Sequence, residues 1–272
     1  MSNIFAELQQ MSSSDSSIAT TRRELNELVE HMLKFEWQEE QLESFALLRN
    51  LEVSTLKRVS GFMVLDDLAV SAVPDKFQHD SYGFVEGSRL IYSGRFVLPV
   101  KDVKGDVAGF VGYDKFEAPK YLDSKTYGYK AKKTMLYGME ELPKYYTDGY
   151  VIVPEGSMCR LWLIEHGFNS MAMLGSYLSP YAVEVLKRFG RKCIIVPDSD
   201  DTGNHYKRTV RTLLPEAQIW QTTKAKDIDD STKKKVEEDG EEYSIRDEAL
   251  VEQLVHEISV KLKNPFVRTE MI

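Results

Sequence analysis

Cysteine is scarce in this chain: among 272 residues only Cys159 and Cys193 carry a thiol. Two thiols cannot furnish a four-cysteine zinc site, and no neighbouring Cys-His pattern supplies the missing ligands, so zinc is not expected. They read as two reduced, partly buried thiols. Long apolar runs are missing too. No stretch of the sequence reaches the roughly 18 consecutive apolar residues that a membrane-spanning helix requires, so no membrane partner is expected. The N-terminus, MSNIFAELQQ, has no basic segment leading into an apolar one, the mark of a secretory signal. A cytoplasmic location follows as the expectation. Positive charge is not in excess either, since 35 Lys and Arg face 43 Asp and Glu, a formal net charge of -8. Net charge alone therefore does not announce a nucleic-acid partner. Acid gathered in a metal site or a tail can mask a local basic groove, so the distribution decides.

Hydrophobic residues make up 42% of the chain, enough to build a real core, and their spacing divides the sequence. Residues 1–21, Ser-rich around Ser12–Ser17, read as a mobile arm. Leu25, Leu28, Val29, Met32 and Leu33 recur at helical spacing, and Leu42, Phe45, Ala46 and Leu48 repeat the pattern over 39–49. Core packing accounts for both stripes. VLPVKDVKGDVAGFVGY predicts a hairpin turning at Lys-Gly-Asp. A Tyr- and Lys-rich stretch follows over 113–144, poor in periodicity. From Tyr150 the pattern becomes regular. Strands are expected over 150–154, 170–174, 193–197 and 217–220, with helices between them at 157–166, 180–189 and 202–214. Ser179-Pro180 supplies a helix cap with proline at the first helical position, and Gly167 and Gly190 stand where helices end. Strict strand–helix alternation predicts a parallel sheet with helices on its faces, an α/β fold. The preceding part reads as a mixed subdomain of helices and antiparallel strands.

In such sheets ligands sit beyond the carboxyl ends of the strands. There the sequence places Glu155-Gly156, then Asp198-Ser199-Asp200-Asp201-Thr202-Gly203, then Lys226-Asp227-Ile228-Asp229-Asp230. One acidic loop is commonplace; three at successive strand ends would repel one another unless cations neutralised them. Hard oxygen ligands of this kind suit Mg²⁺ or Mn²⁺.

This series, EG then DxDxxG then an acidic KDxD segment, resembles the Toprim domain shared by bacterial-type primases, topoisomerases, OLD-type nucleases and RecR-like mediators. Upstream, GRFVLPV at 94–100, GFVG at 109–112, PKYLDS at 119–124 and LYG at 136–138 are similar to the RNA-polymerase core of DnaG-type primases, as is FALLRNL at 45–51. The resemblance covers about 45–230 and implies an arm at 1–21, a primase-core subdomain at 22–145, a Toprim domain at 146–232 and a helical tail at 233–272. It implies a DNA-directed RNA polymerase that makes primers on single-stranded DNA from NTPs with two or more Mg²⁺ or Mn²⁺ ions. It places Asp198, Asp200, Asp227 and Asp229 on the metal, and Glu155 either on the metal or in proton transfer. Lys120 and Lys132 would face reacting phosphates, with Arg49, Arg95 and Tyr121 on template or nucleotide. Three departures stand out: Cys159 where the family has a further acid, Tyr113 where it has arginine, and Asn50 where it has glycine. The family's zinc module and full helicase-binding domain are not read in the sequence, which implies a compact bacteriophage replication protein acting in the host cytoplasm with a separate helicase or zinc module. The rival readings are a metal-dependent Toprim nuclease, which leaves PKYLDS and LYG unexplained, and a degenerate, non-catalytic primase subunit. A topoisomerase would need a larger gate domain, and a RecR-like mediator a four-cysteine zinc motif.

Overall fold

The computed structural model describes residues 16–79, 82–123, 135–174, 178–222, 225–238 and 241–263. The chain divides into two compact units, one of Met1–Pro143 with Ser179–Ala182, the other of Lys144–Leu178 with Val183–Ile272. The fold is mixed α/β, as the alternation of patterns predicts.

In the first unit, α1 (Ser16–Met32), α2 (Gln38–Arg49) and α3 (Val53–Arg58) precede β1 (Phe62–Met63) and a short hairpin of β2 (Val85–Glu86) and β3 (Arg89–Leu90). Then come β4 (Phe96–Lys101), β5 (Val107–Tyr113) and β6 (Tyr121–Asp123), which with β1 form an antiparallel sheet in the order β1-β4-β5-β6. The apolar stripe of α1, Leu25, Leu28, Val29 and Met32, packs into one core with Phe62, Val97 and Phe110. Phe45 of α2 stacks on Phe96 at 4.1 Å and meets the edge of Tyr113. All of β5 and all of β4 except Lys101 are buried, which explains why these strands read as unbroken apolar runs. Complete burial of one such side chain stabilises by roughly 1.5–3 kcal/mol. The predicted hairpin is present, with Val97 opposite Gly112 and Val100 opposite Gly109. Its turn is organised by Asp102, whose Oδ1 accepts from the backbone N–H groups of Lys104 and Asp106, while Gly105 takes a φ of 87°. The other oxygen of Asp102 pairs with Arg22 of α1 at 2.8 Å, both side chains buried.

In the second unit, α4 (Leu142–Asp148, which starts in the first) leads into β7 (Val151–Pro154) and α5 (Ser157–Glu165). There follow α6 (Pro180–Lys187, whose first three residues belong to the first unit), β8 (Cys193–Val196), α7 (Asp201–Leu213) and β9 (Gln218–Ile219). The sheet is parallel, in the order β7-β8-β9. Ser179 caps α6 through its side-chain oxygen, which accepts from Ala182 N–H. The predicted strand at 170–174 is a shorter feature. The chain runs beside β7 as a single parallel bridge, Ile152 with Ser170, with backbone bonds from Ile152 to Asn169 and from Met171 and Met173 back to β7. A positive φ of 57° at Leu174 ends the extended run. The expected helical tail is also corrected. Residues 233–246 form an antiparallel pair, β10 (Lys233–Glu238) and β11 (Glu241–Arg246), before α8 (Glu248–Lys263). Asp239-Gly240, a dipeptide that favours two-residue hairpin turns, stands between them in sequence. Leu254 and Ile258 of α8 pack near Ile152, Val196, Trp220 and Ile228. Arg246 holds the end of α5 through Glu165 and His166. Most of the expected arm, with Lys132 and Ser124, lies outside the described residues. Among the described residues no helix is long and apolar enough to cross a membrane.

Candidate metal centre

Parallel strands that end at one level deliver the residues after them to a common edge. Here β7 delivers Glu155, β8 delivers Asp198 and Asp200, and the chain beyond β9 returns with Lys226–Asp230. Short bonds join the loops. Ser199 donates its backbone N–H to the carbonyl of Lys226 at 2.7 Å and its hydroxyl to the carbonyl of Thr222 at 2.6 Å. Asp198 N–H points at Glu155 Oε2 at 3.5 Å, long for a hydrogen bond. Asp200 caps α7, one carboxylate oxygen accepting from Gly203 N–H at 2.9 Å. Glycine is needed at 203 because a Cβ there would collide with the backbone carbonyl of Asp198.

Two sets of carboxylates result. Asp198 and Asp200 lie around the ammonium of Lys226, at 3.7 and 3.3 Å. Oxygens of Asp227, Asp229 and Asp230 fall within 4.8 Å of one another, a spacing compatible with a shared cation. Asp229 is buried and its carboxylate meets Lys233 at 2.7 Å, while Asp230 reaches the same ammonium at 3.2 Å.

The charges are held at a cost. Burial, followed by the negative charges of Asp227 and Glu155, pushes the Asp198 carboxyl up to about 7. Burial, then Asp230, raises Asp227 as well. Lys226 shows the complementary effect. Burial pulls its ammonium down, but the bond to Asp200 and the charge of Asp198 outweigh that and hold it above its usual range. Cys159, in the position of the family's further acid, is fully buried beside this cluster. Burial first, then Asp227 and Asp229, keeps its thiol well above the usual range, so it stays protonated at neutral pH.

The remaining expected site residues lie in the first unit. Lys120 is exposed, its ammonium 5.6 Å from the Tyr113 ring centre and 5.9 Å from that of Tyr121, which is half-buried. Arg49 and Arg95 are buried. Arg49 sits over the Tyr113 ring at 5.3 Å, and Arg95 donates to the carbonyl of Pro119 at 2.9 Å. Sequence reasoning left Lys226 and Lys233 without a role. The only signal was their position beside the acids, which does not say which carboxylate each will meet.

Residues 152–232, the span containing all five of these expected acids, match the Toprim-like family model. Among curated relatives, the DNA primase of Aquifex aeolicus is 33% identical over 135 residues, 48% of this chain and 27% of that protein. The DNA primase of Clostridium acetobutylicum is 31% identical over 191 residues, 67% of this chain and 31% of that protein. The chain is of the DnaG primase type and carries a Toprim domain. It spans less than a third of the length of those two relatives. Its fold is that of solved DnaG catalytic cores. The DnaG primase catalytic domain bound to ssDNA superposes with a TM-score of 0.66 at 21% identity, covering 79% of this chain and 75% of that one. The RNA polymerase domain of Mycobacterium tuberculosis primase DnaG gives 0.65 at 14% identity, covering 91% and 87%.

Proposed function

We propose that this DnaG-type chain is a working primase core, a DNA-directed RNA polymerase that assembles short RNA primers from NTPs on single-stranded DNA. The observation that supports this most is the acidic edge of the Toprim sheet, with Asp198 protonated at a pH where an ordinary aspartate is charged. Oxygen donors crowded to that degree fit a hard divalent cation of the Mg²⁺ or Mn²⁺ class, and the donor set contains no thiolate or imidazole that would favour zinc.

Asp198 and Asp200, now facing Lys226, and Asp227, whose oxygen lies within 4.8 Å of those of Asp229 and Asp230, are the carboxylates that would hold the ion. Such an ion, when bound, screens the phosphate oxygens and lowers the pKa of an attacking 3′-hydroxyl. Asp229, held by Lys233, secures the turn and completes the negative shell. Glu155 lies at the same edge, half-buried, where it takes either a metal position or the proton of the attacking hydroxyl. In the first unit, Lys120 offers an exposed positive charge and Tyr121 a ring for a single strand, the two contacts such strands use without base specificity. Arg49 and Arg95 support that surface through Tyr113 and Pro119.

The test is primer synthesis on single-stranded DNA with labelled NTPs, in Mg²⁺ and separately in Mn²⁺, beside Asp198→Ala/Asp200→Ala. Short RNA products that fall at least a hundredfold in the double variant are expected. Mg²⁺-dependent nicking of DNA without RNA synthesis would replace this reading with a nuclease, and no product in either metal would overturn it.

A further inference from the structure

Helix α7 leaves the acidic edge at Asp200 and turns two unlike faces outward and inward. Tyr206 and Val210 are fully buried. The opposite face carries Asp201, Asn204, His205, Lys207, Arg208 and Arg211 around an open depression of about 450 Å³. Positions 204, 208 and 211 follow each other at helical spacing, so these side chains share one stripe.

A charged outer face is ordinary on a surface helix when both signs alternate. Here the sole acid on the stripe is Asp201, at its beginning, and no glutamate stands one turn from either arginine. Among the described residues, Arg208 and Arg211 have no ion-pair partner. Lys207 and Arg211 are four residues apart, and Arg208 and Arg211 three. Like charges at those separations destabilise a helix. Their proximity registers on Lys207, whose ammonium is lowered first by burial and then by the charge of Arg211. Lys207 is tied down on Gln221 by a hydrogen bond. A chain with a net charge of -8 thus keeps three uncompensated cations together on the helix that starts at its acidic edge.

We propose that this face of α7 is a second nucleic-acid contact, a track for the phosphate backbone of a strand that enters or leaves the acidic edge. The proposal rests on the primase reading and adds to it a place for the strand in the second unit. With a rise of about 1.5 Å per residue, Arg208 and Arg211 stand about 10 and 15 Å along the axis from Asp201, the reach of a few nucleotides. Guanidinium groups suit this task because they bind phosphate oxygens through paired N–H donors and stay charged at any working pH.

The measurement is fluorescence anisotropy with a labelled oligothymidylate over about 50 to 200 mM salt, where backbone contacts reveal themselves by their salt dependence. Arg208→Ala/Arg211→Ala is compared with the wild-type protein and with Arg191→Ala/Lys192→Ala. The last variant removes the same charge from the residues before β8, at the other end of the strand. Loss of two phosphate contacts is expected to weaken binding about tenfold near 0.1 M salt and to flatten the slope of log K against log salt by about 1.4. Arg208→Lys/Arg211→Lys should recover most of the slope. Wild-type affinity and slope in the double alanine variant, or an equal loss in the Arg191/Lys192 variant, would overturn the track. Thermal melts check that each variant folds. If the wild-type protein makes no primers, the primase reading fails while this binding comparison still stands. If it makes primers and the double variant binds normally, only the track fails.

Discussion

Replacing Asp198 by asparagine should stabilise the metal-free protein at high pH while removing its response to Mg²⁺. The carboxyl titrates near 7 in the folded chain because burial and the charges of Asp227 and Glu155 disfavour its ionised form. An unfolded aspartate titrates near 3.9. Since the folded value is the higher one, ionisation opposes folding: the penalty is absent below about pH 4, grows as the pH rises, and is complete above about 7. The full shift corresponds to about 4 kcal/mol, and screening at this partly exposed carboxylate leaves about 1–2 kcal/mol. Asparagine keeps the shape and lacks the charge. In EDTA at pH 8 the variant is expected to melt about 2–6 °C above the wild-type protein, and at pH 4.5 the two should nearly coincide. With Mg²⁺ at ten times its dissociation constant the wild-type protein gains about 1.4 kcal/mol, whereas the variant should gain little. Differential scanning calorimetry at the two pH values, with and without Mg²⁺, reads all four quantities. A variant that melts below the wild-type protein at pH 8 in EDTA, or that keeps the full Mg²⁺ shift, would refute the electrostatic account of this edge.

Gly203→Ala should distort the loop that carries Asp198, because the added methyl meets a backbone carbonyl that cannot rotate away. A loss of about 1–3 kcal/mol and a reduced Mg²⁺-induced melting shift are expected, read in the same calorimeter. In the first unit, Asp102→Ala removes the buried carboxylate that pairs with Arg22 and releases two backbone N–H groups of the hairpin turn. Breaking a buried pair in this way costs about 3–5 kcal/mol, and urea titration followed by circular dichroism should show it.

Much of the architecture can be read before any coordinates are seen. The β4–β5 hairpin follows from two apolar runs separated by Lys-Gly-Asp, and the alternation from Tyr150 to Trp220 follows from short apolar strands between capped helices. These signals work because they are local: a cap, a turn glycine or an apolar stripe acts on residues within a turn or two of itself. Segments with weaker local signals take the form that their long-range partners impose. Residues 170–174 are apolar enough for a strand but pair only through a bridge, and 233–246 are charged enough for a solvated tail but pair as a hairpin.

The candidate site divides along the same line. Sequence order and the rule that parallel strands end together were sufficient to bring Glu155, Asp198, Asp200 and the 227–230 segment to one edge, because strand direction is set by the pattern. What each charge meets there is a matter of a few ångströms between residues far apart in the chain, and only the tertiary structure decides it. Lys226 lies between Asp198 and Asp200, Lys233 neutralises Asp229, and Arg22 finds Asp102 at a separation of 80 residues. Arg49 and Arg95, expected on nucleic acid, are buried, Arg49 over the Tyr113 ring and Arg95 donating to the carbonyl of Pro119. Charge and periodicity state which groups a chain possesses. Burial and long-range contact determine which of them stay charged, which are paired, and which are left to bind something else.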